Sequence, residues 1–357
     1  MVYSSSSTAR SQHPRRARFS VTPACSQPAL FIGASLIIGA SLGFAGCDSG
    51  SPDPRQRLDR ARPLVDALGD TLRLLRPPER VVSLAPGITE MIYALGEEDR
   101  LVGVTEFCDY PPEAASKPRV AGFKMINLEA IIGVRPDLVI ASRGNLPEDL
   151  AAIRQVRIPV FAFEIESLQA LLSGIETLGR LLASEERARQ VRSSWQARID
   201  SVRAVAEPVS REKRPRVFFG GTSEPIYSVG PGSFVHDLIV TAGGRNIFDD
   251  VASAWPRVDL ETLVKRDPDV LLVGYMDGDT TGLLARLRTL PGWRSLTAVR
   301  NGRVSVLGDE VMRPGPRLVD ALEEIARALY PGRAPDERRA SPRVGLTRPE
   351  AAATLKR

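Results

Sequence analysis

Short apolar runs rich in β-branched residues alternate with stretches of helical periodicity in two parts of the chain. In the first part we predict strands at 80–84, 101–104, 137–141 and 160–163, with helices at 89–95, 128–134 and 147–156. In the second part we predict strands at 216–220, 270–273 and 304–306, with helices at 233–241, 260–265, 281–290 and 317–329. Alternation of strand and helix is typical of parallel βαβ units. The pattern therefore predicts an N-terminal α/β lobe over 63–165 and a C-terminal α/β lobe over 207–331.

The stretch between the two lobes carries apolar residues at helical spacing over about forty positions. It is long for a helix inside a domain, and its charges are too irregular for a coiled coil. We therefore predict a bridging helix over 166–206, bent if at all at Gly174 or Gly179. Trp195 belongs to the apolar stripe and is expected to lie in the core. The predicted fold class is α/β, with two α/β lobes joined by a single long rigid helix.

The start of the chain is typical of a secretory signal peptide. Residues 1–46 place arginines before an apolar run, and small residues precede Cys47. Ala45, Gly46 and Cys47 resemble a bacterial lipobox, which implies that Cys47 is lipidated and begins the mature chain. An uncleaved membrane anchor is the alternative, because the apolar run approaches the length that a bilayer requires.

Polar segments flank the predicted lobes. Residues 47–62 begin with Cys47 and are rich in Pro, Asp and Arg, which predicts a tether between membrane and domain. Residues 332–357 are basic and lack periodicity, which predicts a disordered tail. Four arginines and no other charged residue precede Cys47, so their removal lowers the formal net charge from +5 to +1. A nearly neutral mature chain gives no support for nucleic-acid binding.

Residue types that carry catalysis are scarce in the mature chain. His236 is its one histidine, which argues against a histidine-rich metal site and most histidine-dependent catalysis. We expect a structural role for His236 on its predicted helix. The glycine pairs match neither a phosphate-binding loop nor a dinucleotide fingerprint. Cys108 is the one cysteine left after Cys25 and Cys47, so no disulfide framework is expected. We therefore expect no enzymatic activity, no metal site and no cofactor.

Seven short segments resemble, in order and spacing, the periplasmic binding proteins for cobalamin and ferric siderophores. The segments lie at 80–90 (RVVSLAPGITE), 109–112 (DYPP), 127–129 (NLE), 136–141 (PDLVIA), 243–248 (GGRNIF), 255–261 (WPRVDLE) and 313–320 (RPGPRLVD). The resemblance implies two α/β lobes joined by one rigid helix, with the ligand held in the cleft between them. Such a helix allows only small hinge motion, so release of the ligand depends on the partner.

The resemblance also implies a transport role. Glu129 and Glu261, one in each lobe, fall on the positions that dock to arginines of a membrane permease. Two separated ion pairs fix orientation and speed encounter without tight affinity. The chain is then expected to be a monomeric substrate-binding lipoprotein of an ABC importer. Its expected partners are the permease and ATPase, and Cys47 is expected to anchor it in the periplasm or cell envelope. A receptor domain used for signalling and an enzyme on a two-lobed scaffold are the alternatives.

The expected ligand follows from aromatic residues. Likeness to the cobalamin-binding members places Phe107, Phe123, Tyr227 and Trp255 in the cleft, with Ser142 where a further tryptophan is expected. Cobalamin is large and apolar on its faces, so aromatic walls suit it. We therefore expect a corrinoid such as cobalamin as the ligand.

A ferric siderophore or heme complex is the alternative ligand. Anionic ligands call for cationic side chains, which Lys124, Arg143, Arg257 and Arg313 provide. Arg143 and Arg313 belong to the predicted ligand-binding set for either ligand class, because the amides and phosphate of a corrinoid also accept hydrogen bonds from arginine.

Overall fold

Two parallel β-sheets organise the part of the chain that the computed structural model describes, which comprises residues 63–122, 125–274 and 282–333. The predicted signal peptide, Cys47, the tether and nearly all of the predicted tail lie outside these residues, as do Phe123 and Lys124. The described residues belong to one compact unit, Pro52–Arg357. None of the helices within them is both long and apolar enough to cross a membrane.

The N-terminal lobe contains a short hairpin, a parallel sheet and three helices. Its strands are β1 Leu64–Val65, β2 Thr71–Leu72, β3 Val81–Ser83, β4 Leu101–Thr105, β5 Arg119–Ala121, β6 Leu138–Ser142 and β7 Val160–Phe163, and its helices are α1 Pro86–Leu95, α2 Leu128–Gly133 and α3 Pro147–Gln155. β1 and β2 form the hairpin, and the sheet has the order β5-β4-β3-β6-β7. Leu138, Val139 and Ile140 are all fully buried, so both faces of β6 are covered. Parallel strands buried on both faces are continuous apolar runs, which is why their positions were predictable.

Two helices, α4 Leu168–Leu182 and α5 Glu185–Ala206, lie between the lobes. The prediction of one continuous helix over 166–206 is therefore wrong in that detail. The chain breaks at Ala183, whose backbone is left-handed with a φ of 60°. Gly179 has no side chain, and a Cβ there would lie 2.4 Å from the Cβ of Ala188 on α5, so the glycine lets the two helices approach closely. The apolar period continues across the break because both helices face one core.

The C-terminal lobe contains a second parallel sheet, a two-stranded ribbon and five described helices. Its strands are β8 Arg216–Gly220, β9 Ile226–Tyr227, β10 Arg245–Asn246, β11 Arg257–Val258, β12 Val270–Gly274 and β13 Val304–Leu307, and its helices are α6 Phe234–Thr241, α7 Leu260–Arg266, α8 Leu283–Leu287, α9 Thr297–Arg300 and α10 Leu318–Leu329. The sheet has the order β10-β8-β12-β13, and β9 pairs antiparallel with β11. The predicted helix at 281–290 is shorter in the structure, because helix α8 covers Leu283–Leu287 of the described residues 282–290.

Of the three buried apolar clusters in the described residues, one extends through both lobes. One cluster of buried apolar side chains includes Ile140 of the N-terminal sheet, Trp195 of α5 and Leu272 of the C-terminal sheet. α5 packs against α1 on one side and α10 on the other. Trp195 is 3 % exposed, which confirms the prediction that it lies in the core. The helix layer therefore ties the lobes together, and a large rotation between them would have to open this core.

Candidate ligand cleft

The carboxyl ends of the strands in the two sheets supply the residues predicted to bind the ligand. Phe107 follows β4, and Ser142 is the last residue of β6. In the C-terminal lobe, the ribbon that carries Tyr227 follows β8, and the segment that carries Arg313 follows β13. Loops at this edge of a parallel α/β sheet are the usual place for a ligand. Both lobes therefore present loops that carry the predicted residues at the strand ends where a ligand usually binds.

Three aromatic side chains from these loops are unusually exposed. Phe107 is 39 % exposed, Tyr227 is 56 % exposed and Trp255 is 42 % exposed. The ring of Trp255 lies edge-to-face on that of Phe234, with centroids 5.4 Å apart and planes at 62°. That contact fixes the indole while leaving much of it open. Large aromatic side chains held rigidly at a surface are typical of a binding site rather than of a core.

The ribbon of β9 and β11 holds Tyr227 and Trp255 close together. Tyr227 pairs with Arg257 in its register, and the amide of Ser228 donates to the carbonyl of Pro256 at 2.9 Å. The amide of Trp255 donates to Oγ of Ser253 at 3.2 Å. These bonds order a short segment that lacks the length of a regular strand. The structure therefore brings these two predicted residues onto one element.

Arg313 spans the two lobes. It donates from Nη1 to a carboxylate oxygen of Asp109 and, at 3.1 Å, to the carbonyl oxygen of Phe107. Its Nη2 lies 2.7 Å from Oδ2 of Asp309 in its own lobe. The hydrogen bond from Arg313 holds the pKa of Asp109 below its usual range. The predicted residues Phe107 and Arg313 are thus in direct contact, and the positive charge of Arg313 faces two carboxylates.

Ser142 and Arg143 form a separate part of the site at the edge of the N-terminal sheet. Arg143 donates to Oε2 of Glu164, which follows β7, at 2.7 Å. Ser142 accepts at Oγ from the amide of Gly144 at 3.2 Å. Burial, followed by the neighbouring Glu164, raises the pKa of Glu166. The hydrogen bonds found for Ser142 and Arg143 within the described residues stay in this lobe.

A buried ion pair lies between the lobes. Glu90 on α1 is fully buried, and its Oε1 accepts from Nε and Nη2 of Arg317 at 3.0 and 2.8 Å. Arg317 also lies over the ring of Tyr110, with its guanidinium carbon 4.5 Å from the centroid. Glu90, Asp109 and Arg317 were not among the site residues predicted from the sequence. Each lies inside a segment that carries the family resemblance, so that resemblance was the available signal.

The two predicted docking glutamates occupy equivalent positions in the two lobes. Glu129 and Glu261 are each exposed in the first turn of a helix. The N-cap side chains Asn127 and Asp259 accept from the amides three residues later, at 2.9 and 2.7 Å. A carboxylate in the first helical turn is favourably placed relative to the helix dipole. Glu261 has an exposed partner in Lys265 at 2.9 Å, a weak interaction that a new partner can displace.

The side chains of His236 and Cys108 are held by contacts with neighbouring residues of the protein. Asn246 donates to Nδ1 of His236 at 3.0 Å, and burial lowers the pKa of that histidine. Cys108 is fully buried, with its sulfur 3.1 Å from the hydroxyl oxygens of Thr89 and Thr105. No group of histidine, cysteine or acidic residues in the described part of the chain is arranged to hold a metal ion.

Comparison with known proteins identifies the family. A family model described as periplasmic binding protein matches residues 81–311. A vitamin B12-binding protein of Vibrio cholerae is 32 % identical over 259 residues, which cover 71 % of this chain and 90 % of that protein. An uncharacterized ABC transporter substrate-binding lipoprotein of Bacillus subtilis is 30 % identical over 312 residues, covering 84 % and 96 % of the two chains.

A solved structure shares the fold. The periplasmic heme-binding protein of Roseiflexus sp. RS-1 superposes with a TM-score of 0.62 at 31 % identity, over 71 % of this chain and 98 % of that one. The two sheets, the helix layer between them and the cleft loops described above agree with this two-lobed architecture. The chain therefore belongs to the periplasmic binding protein family and is a substrate-binding protein of an ABC importer.

Proposed function

We propose that this protein binds a corrinoid, cobalamin above all, in the cleft and delivers it to the permease of its importer. The observation that carries the proposal is the pairing of two of the predicted cleft arginines with carboxylates. Arg313 faces Asp109 and Asp309, and Arg143 is bound to Glu164. Arginines already neutralised by carboxylates attract an anionic siderophore or heme less than free ones do. They keep N–H groups for the neutral amides that surround a corrin ring.

The exposed aromatic side chains support the same ligand. Phe107, Tyr227 and Trp255 offer flat apolar surface to a large macrocycle, and Phe234 supports the indole from behind. Similarity to the vitamin B12-binding protein of Vibrio cholerae adds support. Ser142 replaces an aromatic residue, so the wall near β6 is thinner and more polar than the family pattern implies.

The experiment is calorimetric titration of the compact unit, residues 52–357, with cyanocobalamin, heme and a ferric siderophore. We expect one-to-one binding of cyanocobalamin only. Trp255→Ala is expected to weaken it by about 2 kcal/mol, or about thirtyfold, because a large aromatic contact is lost. Val240→Ala, which trims an exposed apolar residue on α6 outside the ribbon, is the control and is expected to bind normally. Binding of heme or the siderophore without cyanocobalamin would refute the corrinoid assignment and leave the transport role intact.

We further propose that Glu129 and Glu261 dock the monomeric protein to the permease. Replacing both with alanine is expected to impair uptake by whole cells while ligand affinity stays unchanged. Glu148 offers a matched control, because it is also exposed in the first turn of a helix, α3. Glu148→Ala is expected to transport normally. A loss of ligand affinity in the double variant would contradict a docking role.

The anchoring proposal concerns residues outside the described part of the chain. The lipobox-like residues that end at Cys47 support lipidation of this cysteine and attachment of the protein to the cell envelope. Metabolic labelling with a fatty acid is expected to mark the wild-type protein and not Cys47→Ser. Equal labelling of both proteins would refute lipidation at this residue.

A further inference from the structure

Glu90 is a buried carboxylate whose two oxygens have different surroundings. Oε1 accepts both hydrogen bonds from Arg317, at 3.0 and 2.8 Å. Oε2 is buried and has no hydrogen-bond partner within the described residues. A buried carboxylate oxygen without a donor is costly, because nothing replaces the water it lost. Retention of such a group at the boundary between two lobes calls for an explanation other than stability.

Arg317 joins that carboxylate to the wall of the cleft. It is the N-cap residue of α10 in the C-terminal lobe, whereas Glu90 and Tyr110 belong to the N-terminal lobe. Its Nη1 lies 3.4 Å from Asp309, which also pairs with Arg313. Segment 309–317 therefore contacts the N-terminal lobe through two arginines, Arg313 and Arg317. Of these, Arg313 contacts the cleft loop that carries Phe107 and Asp109.

Close backbone contact between the lobes makes this segment sensitive to small movements. A Cβ on Gly87, one turn before Glu90 on α1, would lie 2.0 Å from the carbonyl oxygen of Pro314. The backbones of α1 and of segment 309–317 thus touch directly, with Arg313 and Arg317 on either side. Arg313 and Arg317 are four residues apart on this segment and share the partner Asp309, so a shift of the segment at Arg317 is expected to move Arg313 as well.

Glu90 can change its charge near neutral pH. Burial raises its pKa to about 7, even though the hydrogen bonds from Arg317 act in the opposite direction. The other charged groups that face it are Arg313, which lowers the pKa, and Asp309, which raises it. Tyr110 and Asp109 reach it only through the two arginines. Because burial outweighs the attraction of Arg317, loosening the contact between the lobes would return water to Glu90 and lower its pKa, so the neutral form favours the packed arrangement.

We propose that Glu90 is a positioning residue for the ligand cleft, because its carboxyl group holds Arg317 and thereby keeps segment 309–317 and Arg313 against the N-terminal lobe. The link to ligand affinity rests on the proposed corrinoid-binding function, whereas the link to lobe geometry does not. Protonated Glu90 keeps the lobes in the arrangement seen here, and ionised Glu90 loosens them. Ligand is accordingly held more tightly at pH 6 than at pH 8.

The geometric part is tested by measuring the distance between the lobes. Residues 52–357 carry spin labels at Ala151→Cys on α3 and Ala285→Cys on α8, both exposed positions, while Cys108 is fully buried. We expect the distance distribution to broaden from pH 6 to pH 8 in the otherwise wild-type protein. Glu90→Gln, which resembles the protonated carboxyl group, is expected to show the narrow distribution at both pH values. A wild-type distribution that does not respond to pH would overturn the proposal.

A matched control separates this role from a general need for ion pairs. Glu323 pairs with Arg198 at 2.8 Å with both side chains mostly buried, and this pair ties α5 to α10 rather than spanning the cleft. Glu323→Gln is expected to keep the pH response of the wild type. Arg317→Lys keeps the charge but loses the forked geometry, and is expected to show the broad distribution at both pH values. Far-UV circular dichroism confirms folding of each variant, and loss of the pH response in Glu323→Gln would refute a specific role for Glu90.

The ligand part uses cyanocobalamin titrations at the same two pH values. The wild type is expected to lose about fivefold in affinity from pH 6 to pH 8, because a pKa that differs by one unit between free and bound forms changes the affinity by at most about tenfold. Glu90→Gln is expected to bind equally at both. A wild type that binds no cyanocobalamin at either pH refutes the corrinoid assignment alone, since the distance measurements still decide the role of Glu90. A Glu90→Gln protein that keeps the wild-type pH dependence refutes the role itself.

Discussion

Gly87→Ala is expected to push the two lobes apart without harming either one. The substituted Cβ would lie 2.0 Å from the carbonyl oxygen of Pro314, 2.7 Å from its carbonyl carbon and 3.0 Å from the Cα of Gly315. Ordinary contacts begin at 3.4 Å, so the backbones must separate by more than 1 Å at this point. Both partners are backbone, so no side chain can turn away to relieve the clash.

The local and the tertiary effects of this substitution have opposite signs. Gly87 lies in α1 with a negative φ, so alanine there favours the helix by roughly 0.5–1 kcal/mol. Overpacking against fixed backbone costs about 1–3 kcal/mol. We expect a small net loss of unfolding free energy, and a loss of ligand affinity of about tenfold, because the cleft must be held open by the new methyl group.

The assay combines denaturant unfolding, ligand titration and the interlobe distance in residues 52–357. Gly133→Ala is the matched control, since it also lies in a helix and a Cβ there meets nothing within 4 Å. That variant is expected to keep the affinity and the distance of the wild type. Wild-type affinity together with an unchanged distance in Gly87→Ala would refute the direct backbone contact between the lobes.

Three further perturbations test other parts of the structure. The pKa of Glu90 rises from 4.5 in an exposed carboxyl to about 7 in the folded protein, so the folded state binds the proton more tightly than the unfolded state. The resulting stabilisation amounts to about 3 kcal/mol; it is present below pH 4.5 and is lost as the pH rises through 7. Urea titrations at several pH values should show that Glu90→Gln loses most of this pH dependence of the unfolding free energy. Asp109→Asn removes one of the carboxylates that face Arg313, so titrations should detect heme binding by this variant, whereas none is expected for the wild type. Trp195→Ala opens a cavity in the core shared by both lobes and should lower the unfolding free energy by about 3–5 kcal/mol in a single transition, whereas two separate transitions would contradict a shared core.

Much of the fold was predictable because parallel α/β sheets are strongly patterned. Strands buried on both faces form continuous apolar runs, so β6 and β12 were placed within a residue or two. Short elements escaped notice. β5, β9, β10 and β11 have two or three residues each, too few to show a period, and neighbouring strands or turns decide their conformation.

The break between α4 and α5 shows a different limit. Apolar spacing reports which residues face a core, and it does not report the direction of the helix axis. Ala183 is no standard helix terminator in sequence, yet it adopts the left-handed conformation that reverses the chain. The close approach of Gly179 to Ala188 favours that reversal, and it exists only once the two helices have packed.

The candidate site also has some features that the sequence predicts and others that only the folded structure determines. Sequence by itself determined the two α/β lobes and the helical region between them. The assignments of Phe107, Tyr227 and Trp255 to a ligand cleft and of Glu129 and Glu261 to docking came from short motifs that resemble the family, and they stay predictions. These are local patterns or short motifs, and each is carried by residues near one another in the chain. Phe123, also assigned to the cleft, lies outside the described residues and stays a prediction.

Tertiary structure alone decided the electrostatics of the cleft. The pairing of Arg313 with Asp109 joins residues 204 positions apart, and that of Arg317 with Glu90 joins residues 227 positions apart. Whether an arginine is free for an anionic ligand or already neutralised depends on which carboxylate the fold brings within a few ångströms, because Coulomb energy depends on distance and burial rather than on sequence separation. The same folding step buries Glu90 and moves its pKa toward neutrality, a property that no local pattern encodes.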